Sequence, residues 1–422
     1  MRQFVAACWT QEESAPSVGV MIRSFALLVL GAAYLSAQTP FLPGIVNTPD
    51  SGEAFGTLSP DGKEFIFTRH QNFARHRIMI TRLDGGRWSP PAPLAFSGKY
   101  NDREPKLSPD GRRLYFSSNR PFTAGDTARR RDLDLWFVDR TATGAWGTPR
   151  RLEGVNTDGQ EFCPVVSANG TLYFIARRGE THGVWRAQPL DLGSGRFAAP
   201  ERLGPEINQG FETNVYVTPD ESLMLVSRDD APGGLGGDDL YVSRRVGGVW
   251  QSMRHLEQPL NSKEYDYGPL VSPGGAWLFF TSHRTGNGDI YRVSAGELSR
   301  AEVRAAVLDY VEGFYEGDTA RLVRALDPNL DKYGYWKDST GKYSGEKMTY
   351  AEAIAYAKRV KARNRPPDPK WPKQVEVFDV LDQTASAKAT AWWGSDYLLL
   401  ARHDGRWMIS HVLWQGPLAE VR

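Results

Sequence analysis

The stretch Leu107-Ser108-Pro109-Asp110-Gly111-Arg112-Arg113-Leu114-Tyr115-Phe116 decides how most of this chain is read. Proline at the second turn position presets φ, aspartate follows, and glycine ends the turn, so Ser108 to Gly111 joins two antiparallel strands. Four more copies stand along the chain: Ser59-Pro60-Asp61-Gly62, Ser167-Ala168-Asn169-Gly170, Thr218-Pro219-Asp220-Glu221 and Ser272-Pro273-Gly274-Gly275, at spacings of 49, 59, 51 and 54 residues. An apolar residue precedes each (Leu58, Leu107, Val166, Val217, Val271), and a strand-like run follows each, as in Phe65-Ile66-Phe67 and Leu172-Tyr173-Phe174.

Working outward, each unit offers a third strand, clearest as Asp134-Leu135-Trp136, Gly183-Val184-Trp185, Asp239-Leu240-Tyr241 and Asp289-Ile290-Tyr291. Four units add a fourth, marked by Trp88, Trp146, Phe197 and Trp250. Four strands in roughly fifty residues is the size of a β-propeller blade. The fifth unit lacks its outer strand, because Tyr291-Arg292-Val293 runs straight into a helical pattern. Pro40-Phe41-Leu42 before Val46-Asn47 supplies the missing piece, matching Leu152 before Val155-Asn156 and Leu203 before Ile207-Asn208. The N-terminal segment is therefore expected to close the ring and remove its open edge. The fold class expected is an all-β propeller, five blades favoured and six allowed, over residues 38–296.

The Ser-Pro-Asp-Gly hairpins followed by Leu-Tyr-Phe, with Asp-Leu-Trp or Asp-Ile-Tyr third strands, resemble the TolB-type, WD-repeat-like propellers. The resemblance covers about 250 residues. It implies a binding scaffold, although peptidase gating domains share the fold and the better-known members have six blades.

Six positions before each turn lies an acid: Glu53, Asp102, Glu161, Glu212 and Asp266. Ten or twelve positions after it lies an arginine: Arg69, Arg120, Arg177, Arg228 and Arg284. Both columns fall near one end of the hairpins, so one rim should carry carboxylates beside guanidiniums. Because every unit has the pair, mutual pairing that ties neighbouring blades together is the first reading. The alternative is a rim that binds a polar or anionic ligand, or a cation held by several carboxylates.

No Gly-x-Ser-x-Gly elbow, HExxH, Cys-x-x-Cys or phosphate-binding glycine loop occurs, so no catalytic residue, metal or cofactor is assigned. An enzyme remains the alternative, either as a glycosidase using two inward carboxylates of the ring or through the C-terminal domain. Cys8 and Cys163 are the only cysteines, and Cys163 reads as a buried, inert thiol.

Lys+Arg at 51 against Asp+Glu at 50 leaves no field for non-specific nucleic-acid binding. Residues 1–37 read as an upstream extension and a secretory signal: Met21-Ile22-Arg23, an apolar run from Phe25 to Ala33, and a small-residue site at Leu35-Ser36-Ala37. The expected product is exported, periplasmic or secreted after cleavage near Ala37, with no membrane span. Its expected partner is a protein, a peptide or an envelope polymer.

From Ser299 the period changes to that of a helix, with Val303, Val307, Tyr310, Val311 and Phe314 on one stripe and Ser299/Glu302 as a capping box. Asp318 starts a second helix and Thr349 with Glu352 a third. Strands are expected at 375–381, 385–393, 397–402 and 407–414, with Asp404-Gly405 as a turn. Residues 297–422 are thus an α+β domain, helices on a curved antiparallel sheet.

Tyr310, Gly313, Tyr315, Gly317 and Asp318, then Asp396-Tyr397-Leu398, Gly405-Arg406-Trp407 and Val412-Leu413-Trp414, resemble the nuclear-transport-factor-2-like fold and, within it, the putative lumazine-binding type. The resemblance implies a cone with a pocket, serving a small ligand or a homodimer contact. Tyr310, Tyr315, Tyr333, Tyr335, Trp336, Trp392, Trp393 and His411 are the candidate lining, and Asp309, Asp318 or Asp396 the candidate buried acid.

Overall fold

A computed structural model describes residues 38–71, 74–122, 132–231, 233–364 and 367–417. The expected upstream extension and signal, residues 1–37, lie outside the described residues. Strands Gly52–Leu58, Glu64–Gln71 and Ala74–Asp84, with the short outer strands Arg87–Trp88 and Ala92–Pro93, make the first antiparallel sheet. The second holds Asp102–Leu107, Arg113–Ser118, Asp134–Asp139 and Arg150–Arg151, and the third Gln160–Val166, Leu172–Arg178, Thr181–Ala187 and Glu201–Arg202. Phe211–Val217, Leu223–Asp229 and Asp239–Val246 form the fourth with Val249–Trp250 and Arg254–His255 outside. In the fifth, Asp266–Val271, Trp277–Ser282 and Asp289–Ser294 are completed by the N-terminal strand Thr39–Pro40, which pairs antiparallel with Asp289–Ser294. The first strands pack in a closed cycle, each against the next and the fifth against the first.

The repeated turn owes its serine to a bond the motif alone does not reveal. The hydroxyl of Ser59 accepts from Glu64 N at 2.9 Å, that of Ser108 from Arg113 N at 3.0 Å and that of Ser272 from Trp277 N at 3.0 Å, while Thr218 does the same for Leu223 at 3.1 Å. The turn also needs a left-handed residue, and Gly62, Gly111, Gly170 and Gly275 supply it. Glu221 takes that strained conformation in the fourth sheet, φ 57°, and its carboxylate accepts from Ser167 Oγ of the third sheet at 2.9 Å.

A second repeated device joins the sheets. Asn208 accepts from Val184 N at 2.7 Å and donates back to Val184 O at 3.1 Å, so its amide imitates a ladder partner for the third strand of the preceding sheet. Asn47 does this to Ile290, Asn156 to Leu135 and Asn261 to Leu240. At the first junction Ser97 Oγ instead accepts from Ile78 N at 2.9 Å. Asn47 therefore ties the N-terminal segment to the last sheet beside its strand.

Helix α1 (Ala295–Glu316) follows the fifth sheet without a linker. Its cap is Ser294, so Ser299 and Glu302 are not the capping box the sequence suggests; Glu302 faces back instead and accepts both guanidinium bonds of Arg244 at 2.8 Å. Leu298 and Ala301 join the apolar core of the repeat region, and the described residues make one compact unit. Helix α2 (Thr319–Ala325) is capped by Asp318, and α3 (Tyr350–Ala362) by the Thr349/Glu352 box. The six-stranded sheet runs Tyr343–Met348, Leu326–Lys337, Arg406–Gln415, Gly394–His403, Thr384–Ala391, Gln374–Val380. The first two of these strands are absent from the sequence expectation. Leu326–Lys337 alternates Leu330, Lys332 and Gly334 inward with Asp331, Tyr333 and Tyr335 outward, and pairs parallel to the last strand. Ala385, Ala387, Ala389 and Ala391 give the sheet a small-residue inner stripe on which α1 lies.

Candidate functional site

The rim acids Glu53, Asp102, Glu161, Glu212 and Asp266 are all fully buried. Two geometries bring an arginine to them. Arg69 and Arg228 lie directly across the ladder from Glu53 and Glu212. Opposite Asp102 and Asp266 stand Ser118 and Ser282, and the arginine comes two residues later, just past the strand end: Arg120 and Arg284, at 2.6 and 2.7 Å. In the third sheet Glu161 faces Ala176, so the same two-residue offset selects Arg178, at 3.2 Å, and not the expected Arg177, which pairs with Gln160.

Each cluster is closed by backbone. Glu161 accepts from Thr157 N at 3.0 Å and Arg178 donates to Val155 O at 2.6 Å; Asp266 accepts from Ser262 N at 2.6 Å and Arg284 donates to Leu260 O at 3.0 Å. Glu53 and Glu212 hold the loops at Thr48 and at Gln209-Gly210 likewise. Burial pushes the Glu53 and Glu161 carboxyls above their usual range, against hydrogen bonds from the loop residues that pull them down. The ring thus fastens entering loops to their sheets with carboxylates that are buried, although Asp102 Oδ2 and Glu212 Oε2 take no hydrogen bond.

The axis is also filled. Lys106, on the first strand of the second sheet, donates to Gly56 O at 3.1 Å and Pro269 O at 3.4 Å, crossing to the first and fifth sheets. Full burial lowers its ammonium to about 8.

The C-terminal domain is different. A cavity of about 230 Å³ opens between the sheet, α1 and α3, lined by Tyr310, Phe314, Lys332, Glu346, Met348, Tyr356, Trp392, Trp393 and Trp414. Strand alternation sends Lys332 inward, and glycine at 334 is required because a Cβ there would sit 2.0 Å from Trp414 Nε1. The floor is a chain of polar groups. Lys332 Nζ donates to Tyr310 Oη at 2.7 Å, Tyr310 donates to Asp396 Oδ2, and Trp393 Nε1 donates to Asp396 Oδ1 at 3.0 Å. Lys332 Nζ also lies 3.5 Å from Asp396. Burial lowers the Lys332 ammonium in spite of Asp396, and burial together with the Asp396 charge raises the Tyr310 phenol well above its ordinary value. Tyr310 therefore stays a neutral donor.

Of the sequence-derived lining, Tyr310, Trp392 and Trp393 come together here. Tyr315 packs behind them, its ring 5.3 Å from Trp393 and its hydroxyl donating to Pro372 O at 2.6 Å. Tyr335 is exposed on the outward side of its strand, Trp336 is exposed near the strand's end and does not line the cavity, and His411 lies on the outer face with Leu399 and Leu413. Asp309 pairs with Arg324 at 2.9 Å and Asp318 caps α2, leaving Asp396 as the acid at the cavity. Lys332, Phe314, Met348, Tyr356, Glu346 and Trp414 were not among the candidate lining, although Phe314 and Trp414 stood in recognised elements; finding the strand that carries Lys332 would have been the signal.

Residues 299–415 match the family model described as putative lumazine-binding. The chain is similar to a putative TolB from Agrobacterium tumefaciens, at 19% identity over 56% of this chain and 71% of that one, TM-score 0.37. It is similar also to TolB from Acinetobacter baumannii, at 17% identity over 59% of this chain and 56% of that one, TM-score 0.36. An NTF2-like protein of unknown function from Silicibacter pomeroyi is matched at 18% identity over 29% of this chain and 98% of that one, TM-score 0.24. No curated protein matches the chain. Among the described residues no helix is long and apolar enough to cross a membrane, and no group of three or more His, Cys, Asp or Glu could hold a metal ion.

Proposed function

We propose that this is an exported, non-enzymatic binding protein: a five-bladed propeller serving as scaffold, with a cone-shaped C-terminal domain whose pocket takes a small, flat aromatic ligand. The observation that carries the reading is the aromatic cavity with one charged donor in its floor. Three tryptophans, Phe314 and Tyr356 offer ring faces and edges, and Lys332 offers hydrogens beyond the one given to Tyr310. Charge decides the ligand class. Lys332 is already balanced by Asp396 and the exposed Glu346 adds a carboxylate to the lining, so an anionic ligand would meet net negative charge, whereas a neutral ring with a carbonyl or ring-nitrogen acceptor would add none. The family description agrees with a neutral fused heteroaromatic of the lumazine kind. The sequence layout at residues 21–37 supports export.

The test is a titration of tryptophan fluorescence with neutral lumazines and related bicyclic heteroaromatics, alongside their carboxylated analogues. Saturable quenching by the neutral compounds, weakened about tenfold in Lys332→Met, is expected. Quenching by none of them, or preference for the carboxylates, would overturn the reading.

A further inference from the structure

At the seam where the ring of sheets closes, a cavity of about 180 Å³ is lined by Asp50, Ser51, Gly52, His70, His283, Gly286, Asn287 and Gly288. Its walls come from both sides of the closure: the segment entering the first sheet, and the turn of the fifth. The two are latched by Glu53 N donating to Gly288 O and by Asn287 Nδ2 donating to Pro49 O at 3.2 Å. We propose that this seam cavity binds a neutral saccharide unit, held by Asp50 and Asn287 beside the two imidazoles, with Tyr265 as a flanking ring.

Four observations point to that class. First, the lining is hydroxyl, carboxamide, imidazole and carboxylate, groups that between them donate and accept, as the hydroxyls of a sugar require. Second, the charges exclude anions. Burial, with His283 and Arg103 nearby, keeps the His70 imidazole below its ordinary value, and burial does the same to His283 against the pull of Asp266, Glu264 and Asp289. Arg103, the cation behind His70, stands 3.1 Å from Glu104. No cation of the lining is left to meet a phosphate or carboxylate.

Third, Asp50 is exposed and makes no ion pair among the described residues, so an acceptor suited to two neighbouring hydroxyls stands at the cavity edge. It does not combine with His70 and His283 into a metal site. Fourth, Tyr265 is 48% exposed with its ring 5.6 Å from that of His283, which gives a flat apolar surface for the C–H face of a pyranose beside the polar cavity. Gly52, Gly286 and Gly288 keep the walls shallow: a Cβ at 52 would meet His70 at 2.4 Å. The two sides of the cavity are also the two ends of the ring, so a sugar bound to both reinforces the closure.

The site is independent of the aromatic pocket, and the test keeps them apart. The full chain is titrated calorimetrically with neutral gluco-, manno-, galacto- and xylo-oligosaccharides and with the matching uronates, and hydrogen exchange is followed over residues 39–53. At least one neutral saccharide should bind, raise the melting temperature and slow exchange in that segment. Asp50→Ala and Tyr265→Ala should each weaken binding about tenfold, while Lys332→Met leaves it unchanged. Because Asp50 is exposed, Asp50→Ala should fold like the parent, and Asp50→Asn should recover part of the affinity. No binding by any neutral saccharide at millimolar concentration, binding that survives Asp50→Ala, or preference for the uronates overturns the proposal.

Discussion

The propeller rim and the C-terminal pocket both bury ion pairs, yet they differ in what else touches the charges. At the rim, Glu161 and Arg178 are met by Thr157 N, Thr157 Oγ1 and Val155 O. The arrangement recurs around the ring, and none of its acids or arginines lines the cavities described above. In the pocket, Lys332, Tyr310 and Asp396 occur once, and Lys332 and Tyr310 line open space. Repetition with closure marks a joint between elements; a single cluster with an opening marks a place for a ligand. Regularity in a sequence is therefore a poor guide to a site, and the break in regularity the better one.

The comparison breaks if the rim is dispensable. Reversing charge in Glu161→Lys places two cations in one buried cluster and strands the Thr157 donors, so stability should fall by about 3–5 kcal/mol, read by urea denaturation. An unchanged midpoint would show that the ring is no joint. Next in size is Asn208→Ala, which strips both Val184 N and Val184 O of their partners and should cost about 2–3 kcal/mol. At the irregular first junction, Ser97→Ala releases only Ile78 N and should cost about 1 kcal/mol. Equal losses at the two positions would mean the amide clamp adds nothing beyond a single bond.

A smaller effect separates charge from packing in the fourth sheet. His255 is half-buried, which lowers its pKa, but the carboxylates of Asp239 at 3.2 Å and Glu257 at 3.4 Å overcome this and raise it to about 9. Asn261 gives both amide hydrogens to Leu240 O and Leu256 O, which leaves His255 Nε2 to donate to Asp239. The folded value lies above the unfolded one, so the stabilisation is complete below about pH 6.5 and fades as pH rises through about 9. Stability of the parent relative to His255→Gln should shrink by about 1–2 kcal/mol over that window. A difference independent of pH would mean the imidazole is neutral throughout.

Most of the ring was legible because its signal is local: Pro-Asp-Gly presets a turn whatever surrounds it, and Val46-Asn47 names its place by matching Val155-Asn156 and Ile207-Asn208. The acid and arginine columns were legible as columns, but which arginine reaches Glu161 depends on whether a small residue or the arginine stands across the ladder, and spacing counted from the turn does not resolve that. The pocket floor was half legible. Tyr310 and Asp396 lie in segments with clear periodicity, while Lys332 lies in Leu326–Lys337, where Pro328, Asn329 and Gly334 obscure the alternation and the pairing is parallel to the last strand of the domain. Glu302 misled for the opposite reason: a local capping pattern was present, and a distant partner, Arg244, claimed the side chain.

The smallest expected effect sharpens the pocket side of the comparison. Tyr310 Oη sits between Lys332 and Asp396, yet the ammonium already lies 3.5 Å from the carboxylate. In Tyr310→Phe the ring stays against Phe314 and Trp393, and Asp396 keeps Trp393 Nε1, so neither charge is left without a partner. Stability should change by less than about 1 kcal/mol, in contrast to the loss at Glu161. Binding should respond differently. Lys332, no longer giving a hydrogen to Tyr310, turns more fully toward Asp396 and away from the cavity, and the affinity for a neutral heteroaromatic should fall a few-fold, about 1 kcal/mol or less. A large stability loss with binding intact would place the triad among the joints, and the pocket would then have no polar floor of its own.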